Sequence, residues 1–221
     1  MSEAAVPALD DDTIHVCWLA RPRGSGRHAL REVLARCLGR RGDLLELQED
    51  AHGKPALAGA DEGLRFNWSH CGERAVIALA RGLELGIDLE RTNRPVSALE
   101  LARRYFTPGE AEALAALENV ERQRAFLALW TAKEAVLKAV GRGLAFGLHR
   151  IAFEPGSTPP RLQAMDGDAR AASGWQLHRL SPPWPDHLAT LAWRGGPRRI
   201  LNVPAPPMRA GHDPHRLETH P

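Results

Sequence analysis

The stretch ERQRAFLALWTAKEAVLKAV, residues 121–140, constrains the fold more than any other part of the chain. Phe126, Leu127, Trp130, Leu137 and Val140 recur along one side at helical spacing, which predicts a long helix with a buried apolar face. Gly141-Arg142-Gly143 follows and supplies glycine where helices commonly end. Two shorter helices are predicted before it, over SALELARRYF and GEAEALAALE. The second opens on Thr107-Pro108-Gly109-Glu110, a capping box with proline at the first helical position.

The first third alternates differently. Ile14 to Ala20 reads as a buried strand and Arg27 to Leu38 as a helix, with the basic loop RPRGSGR between them. AHGKPALAGADEG is loop-like and LRFNWS a short strand. AVIALA and LELGIDLE flank Arg81-Gly82 and predict an antiparallel hairpin. After the long helix, strands are predicted near Ile151–Phe153, Trp175–Leu180 and Leu188–Trp193. From Pro204 onward the absence of apolar periodicity predicts a disordered tail. The pattern of strand, helix and strands thus occurs twice. It predicts an α+β fold of two similar halves, residues 1–82 and 83–203, followed by the tail 204–221.

Composition narrows the function classes. With 43% hydrophobic residues the chain can bury a sizeable core, and a net charge of +2 argues against a general polyanion binder. The acidic, polar start lacks the features of a signal peptide, and no run reaches the length of a membrane span, so a cytoplasmic protein is expected. Cys17, Cys37 and Cys71 form no CxxC pair and are read as free thiols.

Several polar residues could carry chemistry. On a strand, Asp88 and Glu90 of GIDLE would face the same way, with Ile87 and Leu89 buried behind them. Adjacent carboxylates repel, so a hard cation such as magnesium would suit them, but an ordinary solvated strand end fits the spacing equally. Glu134 and Lys138 form an i,i+4 pair that is either surface helix stabilisation or, one turn after Trp130, a charged pair at the edge of the apolar face. Ser69-His70 could bond a phosphate or form a polar turn. Lys54 in HGKP is a fixed loop cation or a surface lysine. Arg21, Arg23 and Arg27 surround GSG without a P-loop or dinucleotide pattern. His212, His215 and His220 lie in the tail.

In order, GKP, FNWSH, GIDLE and W-x-x-KEA-x-x-K-x-x-G-x-G resemble the successive motifs of the surfactin-type 4'-phosphopantetheinyl transferases. The resemblance runs from about Arg27 to Leu144. It implies a monomeric, pseudo-dimeric fold whose two α/β halves hold coenzyme A in the cleft between them. It implies transfer of the 4'-phosphopantetheine arm of coenzyme A to a serine of an apo acyl or peptidyl carrier protein, with magnesium as cofactor. By the same resemblance Asp88, Glu90 and Glu134 are the metal carboxylates, and Lys133 and Lys138 join Glu134 as catalytic residues. Arg27, Lys54, Ser69, His70 and Asp88 are the coenzyme A contacts, with Ser69 and His70 near its 3'-phosphate. Members of the family usually carry a further basic helical stretch between the first strand and first helix. Here only ARPRGSGR stands there, so either Arg21 and Arg23 substitute or coenzyme A binds more weakly. The carrier protein is expected near Thr107 to Arg124, which mixes Leu114 and Leu117 with Arg122 and Arg124. Nucleic acid and membrane are not expected partners. A magnesium-dependent phosphodiesterase or nuclease, and a non-catalytic binder of coenzyme A or carrier proteins, are the competing classes.

Overall fold

The computed structural model describes residues 8–20, 28–39, 41, 45–49, 53–58, 63–142 and 146–204. Arg21, Arg23, Arg27 and the three histidines of the tail lie outside the described residues.

Four layers build the molecule. The first is α1 (His28–Leu38), which covers one face of a sheet with strand order β11-β1-β5-β4. These strands are β1 (Thr13–Ala20), β4 (Leu64–Cys71), β5 (Arg74–Arg81) and β11 (Arg199–Val203). Strand alternation divides β1 cleanly: Cys17 and Leu19 meet Leu30, Val33 and Leu34 of α1, while Ile14 and Val16 point to the opposite face. That opposite face packs on a second sheet, ordered β6-β10-β9, through Leu85, Ile87, Leu89, Ala189, Leu191 and Trp193. Its strands are β6 (Leu85–Arg91), β9 (Trp175–Leu180) and β10 (His187–Arg194). The far face of this sheet carries α4 (Asn119–Val140), flanked by α2 (Ala98–Tyr105) and α3 (Pro108–Ala115). Two small antiparallel pairs complete the described elements, β2 (Leu47–Glu49) with β3 (Pro55–Leu57) and β7 (Ile151–Phe153) with β8 (Leu162–Met165).

The structure corrects the predicted hairpin of AVIALA with LELGIDLE. β5 already pairs on one edge with β1 and on the other with β4, so it has no ladder left for β6. The hairpin is instead β4–β5, closed at Gly72-Glu73 with Gly72 at φ +60°. β6 moves to the second sheet and pairs with β10. The GKP loop is likewise not wholly irregular, since Pro55 begins β3. β11 was not expected at all. It runs parallel to β1 and covers its otherwise open edge, so the range expected for the second half returns a strand to the first sheet.

α4 is buried from Thr131 to Leu137 without interruption, and its left-handed C-cap is Gly141 at φ +74°. Its backbone lies directly on Gly86 of β6. A Cβ there would stand 2.0 Å from the carbonyl oxygen of Ala135 and 2.5 Å from the nitrogen of Ala139. Both are backbone atoms, so only a glycine permits this approach. The variant Gly86→Ala is expected to push α4 off the sheet, destabilising the fold by about 3 kcal/mol and lowering the melting temperature by roughly 6–12 °C. An unchanged melting temperature would mean the helix has room.

Candidate active site

The outer edge of β6 is where sequence, packing and chemistry meet. Its other edge is engaged by β10, leaving the amides of Ile87 and Leu89 without ladder partners on this side. Side chains of β4 replace the missing strand. Asn67 Oδ1 accepts from the Ile87 amide at 2.9 Å, and Ser69 Oγ from the Leu89 amide at 3.2 Å. The ammonium of Lys138 reaches across from α4 and donates to the Ile87 carbonyl at 3.1 Å.

The same ammonium donates to Asp88 Oδ1 at 2.7 Å and to Ser69 Oγ at 3.1 Å. Ser69 Oγ in turn donates to Asp88 Oδ1 at 2.9 Å. One oxygen of Asp88 therefore receives two donors. The other, Oδ2, is buried and has no hydrogen-bond partner among the described residues. An orphaned carboxylate oxygen is costly to bury, and it marks a place where a cation fits.

Two further carboxylates crowd this oxygen electrostatically. Burial, and then the charges of Asp88 and Glu90, push the Glu134 carboxyl up to about 7, against the opposing pull of Lys138. Burial and Asp88 also raise Glu90, with Arg94 and Lys138 opposing. Arg94 stands 3.6 Å from Glu90, and the Cys71 thiol 3.9 Å from it. Asp88 and Glu90 share a face of β6, as alternation requires, with Ile87 and Leu89 behind them in the inter-sheet core. Among the described residues no group of three or more His, Cys, Asp or Glu side chains is placed to hold a metal ion by itself.

Other residues named from sequence are placed differently. Lys133 is wholly buried and does not join this cluster. Its ammonium contacts Glu110 at 2.9 Å and donates to the carbonyls of Leu148, at 3.0 Å, and Ile151. It also lies 4.9 Å from the Phe106 ring. All three ammonium protons are thus used, and burial holds the lysine below its ordinary range, with Glu110 opposing. Glu110 completes the network by accepting from the amides of Thr107 and Phe153. Lys133, expected to be catalytic, thus stands outside the Asp88 cluster and ties α3, α4 and β7 together. The wheel explains why. Lys133 lies one turn after Trp130 and one turn before Leu137, inside the apolar stripe, whereas Glu134 and Lys138 lie on the face toward β6.

Ser69 and His70 also separate. Neighbouring strand residues point to opposite faces, so Ser69 is buried against Asp88 while His70 is exposed beside Trp68. The Ser69 hydroxyl has its bonds to Asp88, Lys138 and Leu89 and is not presented to a phosphate. Arg122 caps α3: its guanidinium donates to the carbonyls of Leu114, Ala115 and Leu117. Lys54 pairs with Glu84 at 2.8 Å. Sequence reasoning missed Asn67, although FNWS places it two residues before Ser69 on the same strand face.

Residues 84–192, which span β6, α4 and β10, match the model of the 4'-phosphopantetheinyl transferase superfamily. The chain is related to the proteins of that superfamily. The 4'-phosphopantetheinyl transferase HetI of Nostoc sp. is 39% identical over 162 residues, covering 72% of this chain and 65% of that protein. The L-aminoadipate-semialdehyde dehydrogenase-phosphopantetheinyl transferase of Xenopus laevis is 34% identical over 145 residues, covering 61% and 48%. The chain thus spans between about half and two thirds of these relatives. Among solved structures, a holo-ACP-synthase from Plasmodium yoelii is covered over 94% of its length and 51% of this chain, at 19% identity and a TM-score of 0.38, too slight a likeness to bear on fold or activity.

Two outcomes are expected from this geometry. Lys133→Met leaves Glu110 buried without its cation and is expected to cost about 3–5 kcal/mol in denaturant unfolding; a loss under 1 kcal/mol would remove its structural role. Glu134 has a raised folded pKa, so its charge destabilises the fold as pH rises from the unfolded value near 4.5 toward 7 and above. With chelator present, Glu134→Gln is expected to be more stable than the parent by about 1–3 kcal/mol at pH 8, and nearly equal to it at pH 5. A difference that does not change with pH would contradict the electrostatic crowding.

Proposed function

We propose that this chain transfers the 4'-phosphopantetheine arm of coenzyme A to a serine of an apo acyl or peptidyl carrier protein and releases 3',5'-ADP. It acts with magnesium, as a monomeric enzyme of the surfactin type in the cytoplasm. The observation that carries this reading is the partnerless oxygen of Asp88, held against Lys138 and crowded by Glu134 and Glu90. Its support is the relation of residues 84–192 to the transferase superfamily. Two sheet-and-helix layers facing each other also accord with a pseudo-dimeric ancestry, divided near residue 82. No helix of the described residues is long and apolar enough to cross a membrane.

The donor set fits magnesium. It is a hard cation that takes one or two carboxylates and completes its shell with water and substrate phosphate, so a full protein cage is not required. Asp88 Oδ2 would hold the ion, with Glu134 and Glu90 beside it in the same cluster. When bound, the ion supplies Lewis-acid stabilisation of the pyrophosphate charge.

The protein's own residues supply the rest. Lys138 holds Asp88 in place and adds positive charge beside the phosphorus under attack. Ser69 donates to the same oxygen of that carboxylate and so helps orient it. The carrier serine oxygen forms a bond to the pantetheine-bearing phosphorus while the bond from that phosphorus to the oxygen bridging to 3',5'-ADP breaks. Glu134 accepts the serine proton, directly or through water.

The test mixes purified protein with apo carrier protein, coenzyme A and magnesium, and reads the carrier's intact mass. A gain of one phosphopantetheine unit that chelator abolishes is expected. Breakdown of coenzyme A with the carrier unmodified would favour the phosphodiesterase reading. Tight binding with neither reaction would favour the non-catalytic binder.

A further inference from the structure

Between β6 and α2 runs a short connection, residues 92–97, whose side chains have no part in the chemistry above. It is mostly exposed, yet its first residues are tied down. The Thr92 amide donates to the Asp186 carbonyl at 2.8 Å, and Asn93 Nδ2 donates to Asp186 Oδ2 at 3.2 Å. Gln123 Nε2 of α4 donates to the Arg94 carbonyl at 2.9 Å. Three successive residues are thus fixed, two to the loop before β10 and one to α4. They set the point from which the Arg94 side chain starts, and its guanidinium stands 3.6 Å from Glu90 Oε2.

We propose that Arg94 is a positioning residue for the metal site: it holds Glu90 as an ion-pair partner, so that a divalent cation is shared by Asp88 and Glu134 while Glu90 stays outside its shell. The inference rests on the magnesium-dependent transferase reading and adds Arg94 to it.

Three observations carry it. First, Asp88 and Glu90 share a strand face but are treated differently. Asp88 keeps one buried oxygen with no hydrogen-bond partner among the described residues, whereas Glu90 Oε2 is met by both Arg94 and the Cys71 thiol, the latter at 3.9 Å. One carboxylate is left ready for an ion and the other already has a cation. Second, the cations are divided between them. Lys138 contacts Asp88 at 2.7 Å, while at Glu90 the charge of Arg94 acts more strongly than that of Lys138. Third, Glu90 is the outer of the two. Its side chain is 18% exposed, against 7% for that of Asp88. A guanidinium reaching in from solvent therefore meets Glu90 before it meets the orphaned oxygen.

The consequence is electrostatic. Three ionised carboxylates around one lysine would bind a bare cation tightly and repel the pyrophosphate that must join it. Magnesium needs only one or two protein carboxylates and takes the rest of its shell from water and substrate phosphate. By neutralising Glu90, Arg94 gives up part of the affinity for the ion alone and leaves shell positions for the phosphate oxygens. Arg94 is itself 57% exposed, so the pair is screened and its effect on the ion is moderate.

Manganese(II) is the probe, since it prefers the same oxygen ligands and its free form is counted by electron paramagnetic resonance. Titrations at pH 8 and fixed ionic strength compare the parent with four variants. Arg94→Gln is expected to bind the ion about fivefold more tightly, because Glu90 is released to join it. Arg94→Lys, which keeps the charge, is expected to stay within about twofold of the parent, as is Glu90→Gln. In the double variant Arg94→Gln with Glu90→Gln the gain is expected to vanish, since it depends on Glu90. Unchanged or weaker binding in Arg94→Gln would overturn the inference and leave the transferase reading intact. So would a gain that survives in the double variant, which would make Arg94 a distant charge, or a loss beyond tenfold in Glu90→Gln, which would make Glu90 a ligand in the parent. A parent that binds no manganese would remove both the inference and the metal site beneath it.

Discussion

The backbone of α4 touches the backbone of β6 at Gly86, and the arrangement of the site depends on that contact. A helix normally stands off a sheet by the depth of two side-chain layers. Here one layer is missing at a single position, and the helix settles into the gap. Lys138, whose own Cβ lies at this contact, is thereby brought close enough to reach over the edge of β6 to Asp88, Ser69 and the Ile87 carbonyl. The Lys133–Glu110 pair on the opposite side of the helix fixes its rotation. Together the glycine and the buried ion pair set the depth and the azimuth of α4, and hence where Glu134 points.

β6 is the other half of this device. It is an edge strand, yet its edge is buried between a sheet and a helix, a position that normally leaves amides and carbonyls unsatisfied. Asn67, Ser69 and Lys138 satisfy them with side chains. The side-chain solution leaves the carboxylates of the strand at this edge, with one oxygen of Asp88 lacking any hydrogen-bond partner among the described residues. Burial first, and then the charges of Asp88 and Glu90, raise the Glu134 pKa there against the pull of Lys138.

Much of this was legible in the sequence, and the reasons differ by element. α4 and its glycine stop follow from apolar spacing, and the capping box of α3 from Thr107 and Glu110. Strand alternation alone put Asp88 and Glu90 on one face. Pairing was not legible, because β5 and β6 are adjacent in sequence and both read as strands; which ladder each joins depends on β1, β10 and β11, far away in the chain. Nor was the role of Glu110, whose local capping pattern conceals a long-range bond to Lys133. Lys133 itself was misjudged by its neighbours. It stands beside Glu134 in sequence, but one residue of a helix turns the side chain by about 100° and delivers it to a different layer. The Glu84 contacts with Lys54 and Arg65 join three segments with no shared periodicity, so no pattern could have announced them.

The central claim is that Asp88 Oδ2 is left without a protein partner because a cation belongs there. A crystal structure of the protein with coenzyme A and magnesium tests it most directly. The account requires the ion on Asp88 Oδ2 at about 2.0–2.1 Å, sharing oxygens of the coenzyme A pyrophosphate, with Lys138 still on Oδ1. An ion bound elsewhere, or Asp88 Oδ2 turned onto a protein donor with the pyrophosphate distant, would contradict it.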